Sequence, residues 1–216
     1  MNLQASPTNR LTASLTQEKT GFTRMLINAN GLDPDDFTGW RFHPGMLFGS
    51  PDKWWGDRGK RDFPHEGIDV CLYGNKHGQT IALDAAIRIP VMHDGIVRAM
   101  FNDYLGQAVI IEHTLAHRPD QKFLSVYAHT KPLPDIKVGQ HLKAGDIIAT
   151  IADTHRSKAN ILPHLHFSLG IPAPELSYEA FVWNIMRDPQ MVTLMDPLGL
   201  VDGPCHVLPR SAQMPF

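Results

Sequence analysis

Cysteine is scarce. The 216 residues hold two, Cys71 and Cys205, and no C-x-x-C pair. That excludes thiolate zinc ribbons and thioredoxin-type redox centres, and the two thiols are expected to be free and buried rather than bridged. Long apolar runs are missing as well. No stretch approaches the roughly 18 residues that a membrane-spanning helix needs. Residues 1–21 lack the apolar core of about 7–15 residues that marks a secretory signal, so the expectation is a soluble chain with no visible export signal. Charge of one sign is also absent: the net charge is -2, with no long basic run, so no nucleic-acid partner is expected. Internal repeats and low-complexity segments are lacking too.

Histidine is what the chain has in excess, twelve against four tyrosines. Imidazole is a common zinc ligand and acid/base group, so the bias favours a metal enzyme. The length suits one generous domain with appended segments and a core that needs no staples.

From Leu11 to Ala29, apolar residues fall near helical spacing, and Asn30-Gly31 is a plausible stop. Gly21 interrupts that run. Between Gly31 and Pro64 the chain turns to Gly, Pro, Asp and aromatics, an irregular segment with apolar anchors at Trp40, Phe42, Phe48, Trp54 and Trp55. Short β-runs then dominate: His65–Leu72, Ile87–Met92, Gly95–Met100, Gln107–His113, Lys122–His129, Ile147–Ile151 and His164–Leu169. Asp94-Gly95 reads as a hairpin turn between the second and third, and the next two pair across a polar loop. The class expected is mainly β, a small antiparallel sheet or barrel-like core with short peripheral helices. Tyr178–Met186 reads as a helix capped by Ser177 and stopped at Asp188-Pro189. The Pro-rich tail from Met191 is expected to wrap the surface.

The chemistry gathers in three places. In Pro163-His164-Leu165-His166-Phe167-Ser168-Leu169, residues two apart share one face of a strand, so both imidazoles point one way and the apolar residues into a core. An isolated pair of this kind is more often structural than functional, so partners must come from elsewhere. In His65-Glu66-Gly67-Ile68-Asp69, His65 and Asp69 share a strand face and Glu66 points to the opposite one. His129 ends a third apolar strand. His65, Asp69 and one histidine of the H-x-H pair form a three-ligand zinc set with a fourth position left open. The other, with His129, stands beside it for proton transfer and oxyanion stabilisation, which implies amide hydrolysis. A thiolate at Cys71 would close such a site, so Cys71 is read as a core residue. Trp54 and Trp55 are candidate groove walls. His43 and His113 are read as structural, and His77, His93, His117, His141, His155 and His206 as surface residues.

These motifs, in this order, resemble the M23 family of zinc metallopeptidases, the lysostaphin/LytM-like endopeptidases. Arg41-Phe42-His43-Pro44, Asp94-Gly95-Ile96-Val97 and the element from Val138 to Ile148 are similar to that family too. The resemblance spans about residues 39–170. It implies His65, Asp69 and His166 as ligands of one zinc ion, His129 and His164 as the catalytic pair, and peptidoglycan cross-links or stem peptides as substrate. The segment from Tyr73 to Ala86 is longer than the family's usual one, and the family core requires nothing like the chain beyond residue 170. The division expected is an N-terminal extension, partly helical (1–38), a peptidase domain (39–170) and a C-terminal extension packed on it (171–216). Two alternatives stand beside the endopeptidase: a silent or occluded module on the same fold, and an intracellular zinc peptidase on soluble peptides. The resemblance implies the cell envelope, whereas the missing export signal leaves the cytoplasm open. Nothing in the sequence speaks to oligomeric state.

Overall fold

A computed structural model describes residues 20–115, 118–154, 157 and 161–215. Residues 1–10, the first part of the helix expected from Leu11, and His117 and His155 lie outside the described residues. Helix α1 (Phe22–Asn30) begins only after Gly21, whose φ of 67° is left-handed, and ends at Gly31, which is left-handed as well. Gly21 thus starts the helix instead of lying inside it.

The strands are β1 (Phe37–Phe42), β2 (Ile68–Val70), β3 (Leu72–Asn75), β4 (Thr80–Ala82), β5 (Arg88–Pro90), β6 (Gly95–Asn102) and β7 (Gln107–Leu115). They continue as β8 (Arg118–Pro132), β9 (His141–Leu142), β10 (Ile147–Ile151), β11 (Leu165–Pro172), β12 (Val192–Met195) and β13 (Cys205–Val207). The larger sheet runs β12-β11-β8-β7-β6-β9, with β2 added to β11 and β10 joining β8 to β5. A smaller sheet runs β13-β1-β3-β4. Among the described residues every strand pair is antiparallel except β1–β13. The protein is mainly β, as its many short, glycine-punctuated apolar runs predict.

Both faces of the larger sheet are buried in part. One packs Tyr127, Val109, Leu165, Phe167 and Leu169 into the main core, where Phe22 of α1 stacks on Phe167 at 5.5 Å. The other face buries Ala108, Ile110, Leu124 and Val126 under Phe181, Met186 and Val192 from the C-terminal segment. The tail does more than wrap the surface, because β12 extends the larger sheet and β13 the smaller one.

Two local expectations are corrected. Asp94-Gly95 does not join a hairpin: β5 pairs with β10, and β6 with β7 and β9. The Asp94 carboxylate instead accepts from the Ala144 N–H at 2.9 Å and the Lys143 ammonium at 2.7 Å. Gly95 is required because a Cβ there would lie 2.7 Å from the Glu112 carbonyl oxygen. The C-terminal helix is also shorter than expected. Helix α2 (Trp183–Arg187) starts only after Val182, whose backbone is extended, and stops at Asp188. Ahead of it Tyr178 donates to Glu112 at 2.8 Å and Phe181 is buried, so both are spent on anchoring the segment.

Candidate metal and catalytic site

The site begins with strand registry. His166 on β11 lies opposite Asp69 on β2 and opposite Ala128 on β8. Phe167 lies opposite Ile68 and Tyr127 on the core-facing side. Alternation therefore places Asp69 and His166 on one face, as their strand positions predict. His65 is not in β2. It precedes the strand, with its N–H on the Ser50 carbonyl at 3.0 Å and its carbonyl accepting from Gly49 at 2.9 Å. Gly67 lets the chain cross β11, since a Cβ there would lie 2.2 Å from the Phe167 carbonyl oxygen.

Simple alternation would aim His129 at the core, two residues after Tyr127. A bulge prevents this. Between Gln107/Val109 on β7 and Thr130/Tyr127 on β8, the β8 strand carries one extra residue. His129 takes the left-handed conformation there, with φ 58°. Such a bulge re-aims a side chain, and the His129 ring centroid comes within 4.8 Å of His164 and 5.5 Å of His166.

Three donor atoms converge. His65 Nε2, Asp69 Oδ1 and His166 Nδ1 lie 3.0–3.1 Å from one another, and all three residues are buried. The His65 Nδ1–H donates to the Leu47 carbonyl at 3.1 Å, which leaves Nε2 bare in the neutral ring. His166 Nε2 lies 2.9 Å from the Ser168 hydroxyl, with Nδ1 turned to its partners. Lone pairs so crowded call for a cation among them. Ligand atoms about 2.0–2.1 Å from a tetrahedral zinc lie about 3.3 Å apart, so a triangle of this size fits one such ion and leaves a fourth position free.

The second oxygen of Asp69 is also held. The Trp54 indole N–H donates to Oδ2 at 2.6 Å, and the Arg61 guanidinium lies 3.5 Å from it. Burial pushes the Asp69 carboxyl upward, but the surrounding His65, His164 and His166 hold it well below the usual carboxylate range. Trp54 is therefore a buried support and not the groove wall that its place in the sequence suggests. Trp55 does line the groove, under Arg61 at 4.4 Å.

The H-x-H pair shares a face as expected, with unequal surroundings. The His164 Nδ1–H donates to the Leu162 carbonyl at 2.8 Å, so its bare Nε2 faces Asp69 Oδ1 at 3.8 Å. Burial holds His164 down to about 3, against the pull of Asp69. His129 is less enclosed, its side chain 14 % exposed.

A groove of about 340 Å³ opens over these residues, walled by Trp55, Tyr104, Leu105, Ile161 and Trp183. Glu66 departs from expectation: it lines the same groove in an ion pair with Arg187 of α2. Arg187 lies too far along the sequence for the local strand pattern to pair the two. A larger cavity of about 450 Å³, between Lys122 and Tyr178, is lined by no histidine, so the smaller groove is the candidate site. Tyr104, Trp183 and Arg187 escaped sequence reasoning, and only the isolated aromatics at 104 and 183 hinted at them.

The remaining histidines among the described residues are structural or peripheral. His43 caps a 3-10 turn by accepting from the Gly45 N–H at 3.1 Å. His113 is fully buried between the Asp94 carbonyl and the Ser125 hydroxyl. His77, His141 and His206 are exposed, whereas His93 is half-buried against His113 and Phe123. Cys71 is a free core thiol, as expected, and Cys205 is free but exposed.

Residues 74–174 match the model of Peptidase family M23. His129, His164 and His166 lie inside that span, and His65 and Asp69 lie just ahead of it. No curated protein sequence matches significantly. Among solved structures, one described as a glycyl-glycine endopeptidase LytM from Ruminococcus gnavus is 17% identical, with a TM-score of 0.39, and covers 63% of this chain and 45% of its own. A mutant catalytic domain of the prophage-encoded M23 protein EnpA from Enterococcus faecalis is 21% identical, TM-score 0.38, covering 67% and 97%. Lysostaphin is 22% identical, TM-score 0.38, covering 65% and 49%. The chain thus spans about half the length of the first and the last of these.

Proposed function

We propose that the protein is a zinc-dependent endopeptidase cleaving peptide bonds in peptidoglycan cross-links or stem peptides, a reading supported by the match of residues 74–174 to the model of Peptidase family M23. The observation that carries the metal reading is the triangle of His65 Nε2, Asp69 Oδ1 and His166 Nδ1, at 3.0–3.1 Å edges in a buried setting. These three residues would hold the ion. A zinc ion bound there supplies acidification of water and polarisation of a carbonyl.

The protein's own groups do the rest. His129 and His164 form the catalytic pair. Burial keeps His164 neutral, so its bare Nε2 accepts a hydrogen bond and orients the attacking water. His129, the more exposed ring, takes the proton of that water and delivers it to the leaving amine nitrogen. Trp55, Tyr104 and Trp183 wall the groove and exclude bulk water from an extended peptide. The peptidoglycan assignment is supported by the match to the M23 family model and by the order of the motifs that resemble that family. The same reading keeps an extension (1–38), a catalytic domain (39–170) and a C-terminal part (171–216); the pairing of β12 and β13 with β11 and β1 supports the packing of that last part on the core.

The test uses purified full-length protein. Native protein should carry about one zinc per chain and release peptides from cross-linked muropeptides. Asp69→Ala should lose both properties, and full activity in that variant would overturn the proposal.

A further inference from the structure

Beside His129 lies a carboxylate that no sequence motif marks. Asp103 sits in the turn between β6 and β7, and its side chain is fully buried. One oxygen, Oδ1, accepts from the backbone N–H groups of Leu105 and Gly106 at 2.9 and 2.8 Å. The other, Oδ2, accepts from the backbone N–H of His129 at 2.8 Å. Oδ1 also lies 3.2 Å from His129 Nδ1, bent away from an in-line hydrogen bond. Nδ1 is buried and finds no better partner.

The geometry points to Asp103 as a positioning residue for His129. It meets the histidine twice, by a hydrogen bond at the backbone and by a 3.2 Å approach to the ring. The first contact supports a left-handed conformation that a β-carbon makes costly, φ 58° at a non-glycine residue. The second favours the tautomer with hydrogen on Nδ1, which leaves Nε2 bare for the groove. A carboxylate on the far nitrogen also stabilises the imidazolium formed when Nε2 takes a proton. The turn supports the same reading. Gly106 allows the loop to close on β8, since a Cβ there would lie 2.5 Å from the Thr130 carbonyl oxygen.

The inference rests on His129 as the proton carrier proposed above, so its test includes a readout that needs no turnover. Full-length protein loaded with zinc and labelled with nitrogen-15 in its histidines reports each ring tautomer by long-range proton–nitrogen spectra, with His129 assigned from a His129→Gln variant. Native protein should show His129 protonated at Nδ1 and bare at Nε2. Asp103→Asn, nearly isosteric but uncharged, should mix the tautomers and lower kcat about 10–100-fold, a part of the roughly 10²–10⁴-fold that a positioned proton carrier contributes. KM and zinc content should stay within about twofold. A bare Nδ1 in the native protein would overturn the inference, and so would kcat within twofold of native in Asp103→Asn. If native protein cleaves no muropeptide, the endopeptidase reading fails, and the tautomer measurement still decides the role of Asp103.

Discussion

The two oxygens of Asp69 have separate duties. Oδ1 faces the two histidine nitrogens, while Oδ2 accepts from the buried Trp54 indole at 2.6 Å. Partners behind a ligand fix its orientation, and losing one typically costs about 10–100-fold in metal affinity. Trp54→Phe keeps most of the ring volume and removes that donor. It should therefore weaken zinc binding by this amount in competition with a chromophoric chelator while leaving the far-UV spectrum unchanged. The H-x-H histidines separate in the same way. His166→Ala should lose the metal, whereas His164→Ala should keep about one zinc and abolish turnover; identical behaviour in metal content would refute the division of labour. These two histidines were legible in the sequence because strand alternation alone puts residues 164 and 166 on one face. The fine aim of His129 was not, because it depends on a one-residue bulge that no local pattern encodes. Asp103 stayed hidden for a related reason: it meets His129 across 26 residues of chain.

Among the elements, the β2–β11 crossing and the β7–β8 pair bear most on the site. Gly67→Ala would set a methyl group against the Phe167 carbonyl oxygen at 2.2 Å, and backbone cannot yield as a flexible side chain does. A cost of about 1–3 kcal/mol follows, visible as a lowered midpoint in urea. Zinc content should fall with it, because the same crossing faces Asp69 to His166. His113 links β7 to β8 through Ser125 on the neighbouring strand, at 2.6 Å. Burial lowers it to about 4, outweighing the Asp94 carbonyl that accepts from its ring. In the unfolded chain it titrates near 6.5, so between these values the unfolded state binds more protons. The stability it contributes is present above about pH 6.5 and lost as pH falls toward 4, at about 1.4 kcal/mol per pH step. Between pH 7 and pH 5 the native protein should lose about 2 kcal/mol more than His113→Gln in urea melts; equal losses would remove His113 from the account. Element by element, apolar runs such as Gln107–His113 were readable in advance, and the strand there extends two residues further, to Leu115. Asp94-Gly95 was misread because a turn signal does not say which strands it joins: the aspartate serves the Lys143–Asp146 turn instead.

At the scale of the whole molecule, the site is assembled from three parts of the chain. Trp54, His65 and Asp69 come from ahead of the family-matched span, His129, His164 and His166 from within it, and Trp183 and Arg187 from beyond it. The order of motifs made the first two parts legible, since each carries its chemistry in a short run. The third was not, because Glu66 and Arg187 meet across 121 residues, a distance over which only the folded sheet brings them together. The C-terminal segment thus covers apolar surface beside the site and supplies one wall of the groove. If the groove holds a peptide as proposed, a wall of that kind bears on which peptides enter. The most direct measurement of the central claim is mass-spectrometric mapping of products from whole peptidoglycan, digested with native protein, with chelated protein and with chelated protein given back zinc. Defined peptide-bond cleavages in the first, none in the second and recovery in the third are predicted. Undiminished cleavage after complete removal of the metal would contradict the account.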